Sequence, residues 1–180
     1  MDLVAYHWRC GTFFLEQVND MRSCFRVFLS FVFIVLFSTP ALAWEARVVA
    51  VADGDTITVE PAAGGDRIKI RLHGIDAPER KQPYGEAARG FVFDVSLYKT
   101  VDVEELYTDR YKRTVAIINL PDGKSLQASI LEAGLAWVWP RYCRDCPEWE
   151  ALQEKAQKGK RGLWVDENPI QPWEWRKGQR

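Results

Sequence analysis

The sequence predicts a small five-stranded β-barrel capped by helices, in the α+β class. Three features predict it: five short segments of strand character, a helical spacing of apolar residues after the third, and helices rather than strands after the fifth.

Residues 46–51 are rich in valine, and residues 56–60 alternate apolar and polar side chains. Asp53-Gly54-Asp55 between them reads as a turn or bulge. Residues 61–66, with Gly64-Gly65, make a second turn. Residues 67–75 alternate again: Ile68, Ile70 and Leu72 face one way, and Arg67, Lys69, Arg71 and His73 the other. These three segments form a meander. Residues 76–83 contain Pro78 and Pro83 and are expected to be irregular. The spacing of Tyr84, Ala88, Phe91, Val92 and Val95 then predicts a helix over 84–97.

Residues 101–106 and 114–120 are two further strands, joined by the polar, basic stretch 107–113. Pro121-Asp122-Gly123 is a type I or II turn, and 125–133 is a short helix stopped at Gly134. Residues 137–147 form an aromatic, cysteine-bearing loop. Residues 148–158 are an amphipathic helix with Trp149, Leu152 and Ala156 inward, a Glu154–Lys158 pair outward, and Gly159 at its end. The tail 166–180, with Pro169, Pro172, Trp173 and Trp175, has no period and is expected to wrap the surface or fray. Five strands with a helix after the third, and about three helices in all, is the OB-fold plan.

The barrel does not use the whole chain. From Met21 a basic start, an apolar run over 27–37 and the small-residue end Ala41-Leu42-Ala43 have the layout of a secretory signal peptide. The apolar run is shorter than the roughly 20 residues a membrane span needs. Residues 21–43 are therefore expected to be removed after Ala43, sending the protein to the periplasm or the medium; a retained anchor is the alternative. Residues 1–20 precede a complete signal and are expected to be an upstream extension, with Met21 the true start. Residues 44–165 would then be the domain and 166–180 its tail.

Charge and composition narrow the function. With 24 Lys and Arg against 25 Asp and Glu, the formal net charge is −1. Any grip on nucleic acid must come from local arginines rather than bulk charge. Two histidines, His7 and His73, exclude a His-rich metal centre, and His73 reads as a strand surface residue rather than a catalyst. Beyond the signal only Cys143 and Cys146 remain. A lone Cys-x-x-Cys is short of the four ligands of structural zinc. A redox pair normally opens a helix that follows a strand. A disulfide stapling the loop is the expected state, contributing about 2 kcal/mol at best by loop entropy.

Two clusters carry the chemistry. In Asp53-Gly54-Asp55-Thr56 two carboxylates flank a glycine at a strand end, supplying the hard oxygens that Ca²⁺ prefers; an ordinary Asp-Gly turn is the plain alternative. In the run from Arg71 to Glu79, Asp76 and Glu79 follow a strand-borne arginine, which fits either a phosphate site or a surface salt bridge. A meander brings the two clusters close together.

Val51-Ala52-Asp53-Gly54-Asp55-Thr56, then Arg71…Ile75-Asp76-Ala77-Pro78-Glu79, then Tyr84-Gly85-Glu86-Ala87, then Asp109-Arg110-Tyr111-Lys112-Arg113, in that order and spacing, resembles the thermonuclease (staphylococcal-nuclease-like) family. The resemblance runs from about Trp44 to Trp164. It implies an OB barrel and a nuclease using one Ca²⁺ ion. Asp55 and Asp76 would bind the ion directly, with the Ala77 carbonyl, and Asp53 through water. Glu79 would orient or deprotonate the attacking water, and Arg71 and Arg113 would hold the scissile phosphate. A cation with two guanidinium forks would offset the charge that grows on the phosphate oxygens during attack.

Where family members carry tyrosines after a Gly-Leu-Ala turn, this chain has Trp137, Trp139 and Tyr142. They are assigned to the substrate side as base-stacking groups, with a core role for one tryptophan as the alternative. Scattered cations (Arg67, Lys69, Arg80, Lys81, Arg110, Lys112, Arg141, Arg144) offer a backbone track or a solvated surface. DNA or RNA is the expected substrate, no obligate protein partner is evident, and a monomer is expected. The rival readings are an OB module that binds nucleic acid without cutting it, and a thiol-redox protein centred on Cys143 and Cys146.

Overall fold

Valine, isoleucine and threonine, stiff at χ1 and suited to a pleated surface, dominate the segments that pair. In the computed structural model, which describes residues 43–178, these are β1 (Ala43–Asp53), β2 (Thr56–Pro61), β3 (Ile68–Leu72), β5 (Thr100–Thr108) and β6 (Thr114–Asn119). They close a barrel in the order β1-β2-β3-β6-β5. All neighbours are antiparallel except β3 and β6, which run parallel. A parallel pair needs a long crossover. Here the chain between them supplies α1 (Gly85–Ser96) and β5.

Val48, Ile57, Val59, Ile70 and Ile118 fill the barrel and exclude water almost completely. α1 plugs it with the buried Ala88 and Val92. α2 (Leu126–Glu132) follows the cap Ser125, whose Oγ accepts from the Ala128 N–H at 3.0 Å. The fully buried Gln127 ties α2 to β6, donating to the Ala116 carbonyl at 3.0 Å and accepting from the Ile118 N–H at 3.3 Å. α3 (Pro147–Lys158) packs on α2 with Ala156 buried and Trp149 and Leu152 half-buried, while Glu154 and Lys158 pair outward at 2.6 Å. A 3₁₀ turn (Gly162–Val165) follows.

Three expectations need correction. The third strand ends at Leu72, because Gly74 takes a left-handed turn at φ +72°. Ile75, expected to end the third strand, and residues 76 and 137–138, expected to be irregular, pair instead as β4 (Ile75–Asp76) and β7 (Trp137–Val138). Two-residue strands are too short to show alternation, so only a tertiary partner reveals them. The tail also forms α4 (Pro172–Trp175), which brings the described helices to four. The expected upstream extension and signal peptide lie outside the described residues except Ala43, which opens β1 opposite Glu104.

Candidate active site

β2 and β3 are in register at Thr56 and Arg71. That register sets Asp55, in the turn just before β2, beside the guanidinium of Arg71. Arg71 bonds the Asp55 carboxylate through Nη1 and the Asp76 carboxylate through Nη2, the latter at 2.7 Å. The same Nη2 donates to the Ile75 carbonyl at 3.3 Å. All three side chains are buried, Asp76 completely. Burial lowers the Arg71 pKa, against the charges of Asp76 and Asp53, which raise it. Carboxylates from the β1–β2 turn and from β4 therefore converge on one guanidinium.

The turn before Asp55 is tightly built. Its Oδ2 accepts from the Ala77 N–H at 2.8 Å, and its Oδ1 from the Thr56 hydroxyl at 3.1 Å. Asp53 Oδ1 accepts from the Asp55 N–H at 3.1 Å, so Asp53 shapes the turn. Gly54 is required there, since a Cβ would lie 2.6 Å from the Ala77 Cβ and 2.7 Å from that of Ala88. The Ala77 amide thereby ties Asp55 to the segment that follows Asp76.

Arg113 enters from the residue before β6, and β6 runs parallel beside β3. Arg71 and Arg113 line the same cleft. Asp109 holds Arg113, accepting from Nε at 2.8 Å and Nη2 at 2.7 Å, and also from the Tyr111 and Arg113 amides. Slight burial raises the Asp109 pKa, but the bonds from Arg113 and Tyr111 outweigh it and leave the carboxyl below its usual value.

Glu79, about half exposed, closes the set. Asp53, Asp55, Arg71, Asp76, Glu79 and Arg113 all line one cleft of about 670 Å³. Trp139 and Tyr142 line it too, edge to face with ring centroids 4.6 Å apart. Of the scattered cations, Arg110 and Arg141 reach it, whereas Arg67 and Arg80 pair with Glu60 and Glu86 on the surface. Trp137 does not line this cleft. It packs against Trp164 at 4.2 Å in a small core with Leu163 and Ala156, which revises its substrate-side assignment. Its ring belongs to the alternative, core role.

His73 is also not the plain surface residue expected. It is half-buried between Tyr107 and Trp149, with Nδ1 buried and unbonded. Cys143 and Cys146 are joined by a disulfide with Cα atoms 5.7 Å apart.

Two residues of the cleft region escaped the sequence reading. Arg176 donates from Nη2 to Asp76 Oδ2 at 2.6 Å and from Nη1 to Glu79 Oε1 at 2.7 Å. Trp173 lies parallel to Trp139, with ring centroids 6.1 Å apart and planes 4° apart. Both come from the aperiodic tail. Pro172 at the first position of a helical turn was the one local signal that this segment is ordered.

The family model of staphylococcal nuclease homologues matches residues 69–166. The chain belongs to that family. The matched span holds Arg71, Asp76, Glu79 and Arg113, but begins after Asp55 and ends before Arg176. Relatives match over longer stretches of the chain. A protein named uncharacterized endonuclease from Escherichia coli O157:H7 is 41% identical over 143 residues, covering 78% of this chain and 92% of the relative. A second of that name, from Haemophilus influenzae, is 35% identical and covers 84% of each. A protein named micrococcal nuclease from Shigella flexneri is 33% identical, covering 82% of this chain and 89% of the relative.

Proposed function

We propose that this chain, a member of a nuclease family, hydrolyses phosphodiester bonds of DNA or RNA with one Ca²⁺ ion, after export from the cytoplasm. One observation carries the reading: Asp55 and Asp76 converge within reach of a single guanidinium, in the cleft that Arg113 and Glu79 also line. The donors fit a hard divalent cation. They are carboxylate oxygens, two of them on buried side chains, and their charge is now balanced by arginines. Arg71 and Arg176 occupy the carboxylate oxygens that would face the ion.

Asp55 and Asp76 would hold the ion, with Asp53 shaping the turn beneath it. When bound, the ion supplies positive charge against the nonbridging phosphate oxygens. Arg113, already oriented by Asp109, presents its planar fork to the phosphate. Arg71 adds a second guanidinium on the same side. Glu79, exposed at the cleft, takes a proton from the attacking water, which needs only hydrogen-bond reach. Trp139 and Tyr142 offer aromatic surfaces for bases. Export is supported by the signal-like segment before Trp44 and by the disulfide, a bond favoured outside the cytoplasm.

The test is cleavage of single-stranded DNA and RNA in Ca²⁺ and in EDTA, with Glu79→Gln alongside. Cleavage in Ca²⁺ only, with kcat reduced in Glu79→Gln, is expected. Full activity in EDTA removes the metal from the mechanism. Binding without cleavage by the unmodified protein reduces the chain to a nucleic-acid-binding module.

A further inference from the structure

Arg176 meets the catalytic carboxylates from the far end of the chain. Both oxygens of the fully buried Asp76 carboxylate are taken by guanidinium groups. Oδ1 accepts from Arg71 at 2.7 Å and from Arg176 Nη1 at 3.3 Å, and Oδ2 accepts from Arg176 Nη2 at 2.6 Å. The same Nη1 bonds Glu79 Oε1 at 2.7 Å. Arg176 thus clamps, with one fork, the expected ion ligand and the expected base.

The clamp is seated rather than loose. The Arg176 guanidinium lies over the Trp139 ring, 5.5 Å from its centroid. Trp173, one turn earlier in the tail, lies parallel to the same ring. Upstream, the Ile170 carbonyl accepts from Gln82 Nε2 at 2.6 Å, pinning the tail to the loop that carries Glu79.

We propose that Arg176 is a further residue of this site, an intramolecular counter-cation that competes with the divalent ion for Asp76. The inference rests on the metal reading above and names what that ion must displace. An ion bound at about 2.3–2.6 Å from a carboxylate oxygen takes one of its lone pairs and competes there with the guanidinium. Like charges a few ångströms apart repel as well. Ion entry therefore moves Arg176 off Asp76, and the same movement frees the Glu79 carboxylate for water. Without the ion, the tail neutralises a buried carboxylate that would otherwise be costly to keep charged.

Calorimetric titration of the purified protein with CaCl₂, in the absence of nucleic acid, tests this apart from activity. Arg176→Gln is expected to bind Ca²⁺ roughly three- to tenfold more tightly, the scale of a partly exposed charge-assisted bond. Trp173→Ala changes no charge but unseats the tail, and is expected to tighten binding in the same direction. Arg67→Gln removes one positive charge far from the cleft and is expected to leave affinity unchanged. In the unmodified protein, amide exchange over 172–176, followed by mass spectrometry, is expected to quicken when Ca²⁺ is added. Equal affinities in all four proteins, or tightening in Arg67→Gln as large as in Arg176→Gln, overturn the competition while leaving the metal reading intact. Exchange over 172–176 that is indifferent to Ca²⁺ overturns it too. No binding in any of the four proteins sinks both.

Discussion

Arg71 and Asp76 stand at opposite ends of one tight turn and meet at 2.7 Å, with side chains 11% and 0% exposed. Little solvent screens the pair, and Arg71 also neutralises Asp55. Removing the guanidinium leaves Asp55 buried without its cation and Asp76 with Arg176 alone. Arg71→Ala is expected to cost about 3–5 kcal/mol of stability in EDTA, the scale of a broken buried pair. Ca²⁺ should restore part of it, because an ion bound only by the folded state stabilises that state. Cleavage should fall by about 10²-fold or more. Lysine keeps the charge but lacks the fork, so Arg71→Lys should recover stability better than rate. Thermal melts with and without Ca²⁺, beside initial rates, check this.

Gly85 touches the same machinery through the backbone. A Cβ there would lie 1.9 Å from the Glu79 carbonyl oxygen and 3.0 Å from the Arg80 Cα. Gly85→Ala must push the Glu79 segment away, at about 1–3 kcal/mol. The rate constant for cleavage is expected to fall more than Ca²⁺ affinity does. Gly90, on the same helix, has open space around its Cβ position. Gly90→Ala is expected to stabilise by about 0.5–1 kcal/mol with activity unchanged. Were the two variants equally active, the close approach at Gly85 would not govern Glu79.

The disulfide works locally. It closes a short loop beside Gly74, whose Cβ would sit 3.1 Å from Cys143 Sγ. Replacing both cysteines by serine is expected to cost about 2 kcal/mol at most by loop entropy. Activity at a temperature where the variant stays folded should be retained within a few-fold. Abolished activity in a folded variant would favour a thiol role, which circular dichroism and rate assays together would reveal.

His73 links stability to pH. Burial holds its imidazole below the ordinary value of 6.5. As pH falls below about 6.5, the unfolded chain takes up this proton before the folded one does, so stability drops with pH until the lowered native value is reached. His73→Gln should lose less stability than the unmodified protein between pH 7.5 and 5.5. Urea midpoints at the two pH values measure the difference, and an equal loss in both proteins would remove His73 as the cause.

Much of this was legible in the chain alone, because local rules carried it. Alternation and β-branching located all five barrel strands, and the spacing of Ala88 and Val92 found the helix that plugs them. Asp55, Arg71, Asp76 and Glu79 stood out near strand ends, while their roles, and Arg113 altogether, came from the family resemblance. β4 and β7 were not readable, since each two-residue strand depends on a partner more than 60 residues away, and which tryptophan joins the core was decided by Trp164.

Arg176 marks the boundary most sharply. Its neighbours Pro172, Trp173 and Trp175 show no period, so nothing local says where its guanidinium goes. The amino-acid order determined which strands form and which acidic and basic groups sit at their ends, since those depend on contacts a few residues apart. Only the closed barrel decided that a tail residue reaches Asp76, 100 positions away, because burying that carboxylate demands a partner and the fold happens to deliver one from the other end of the chain.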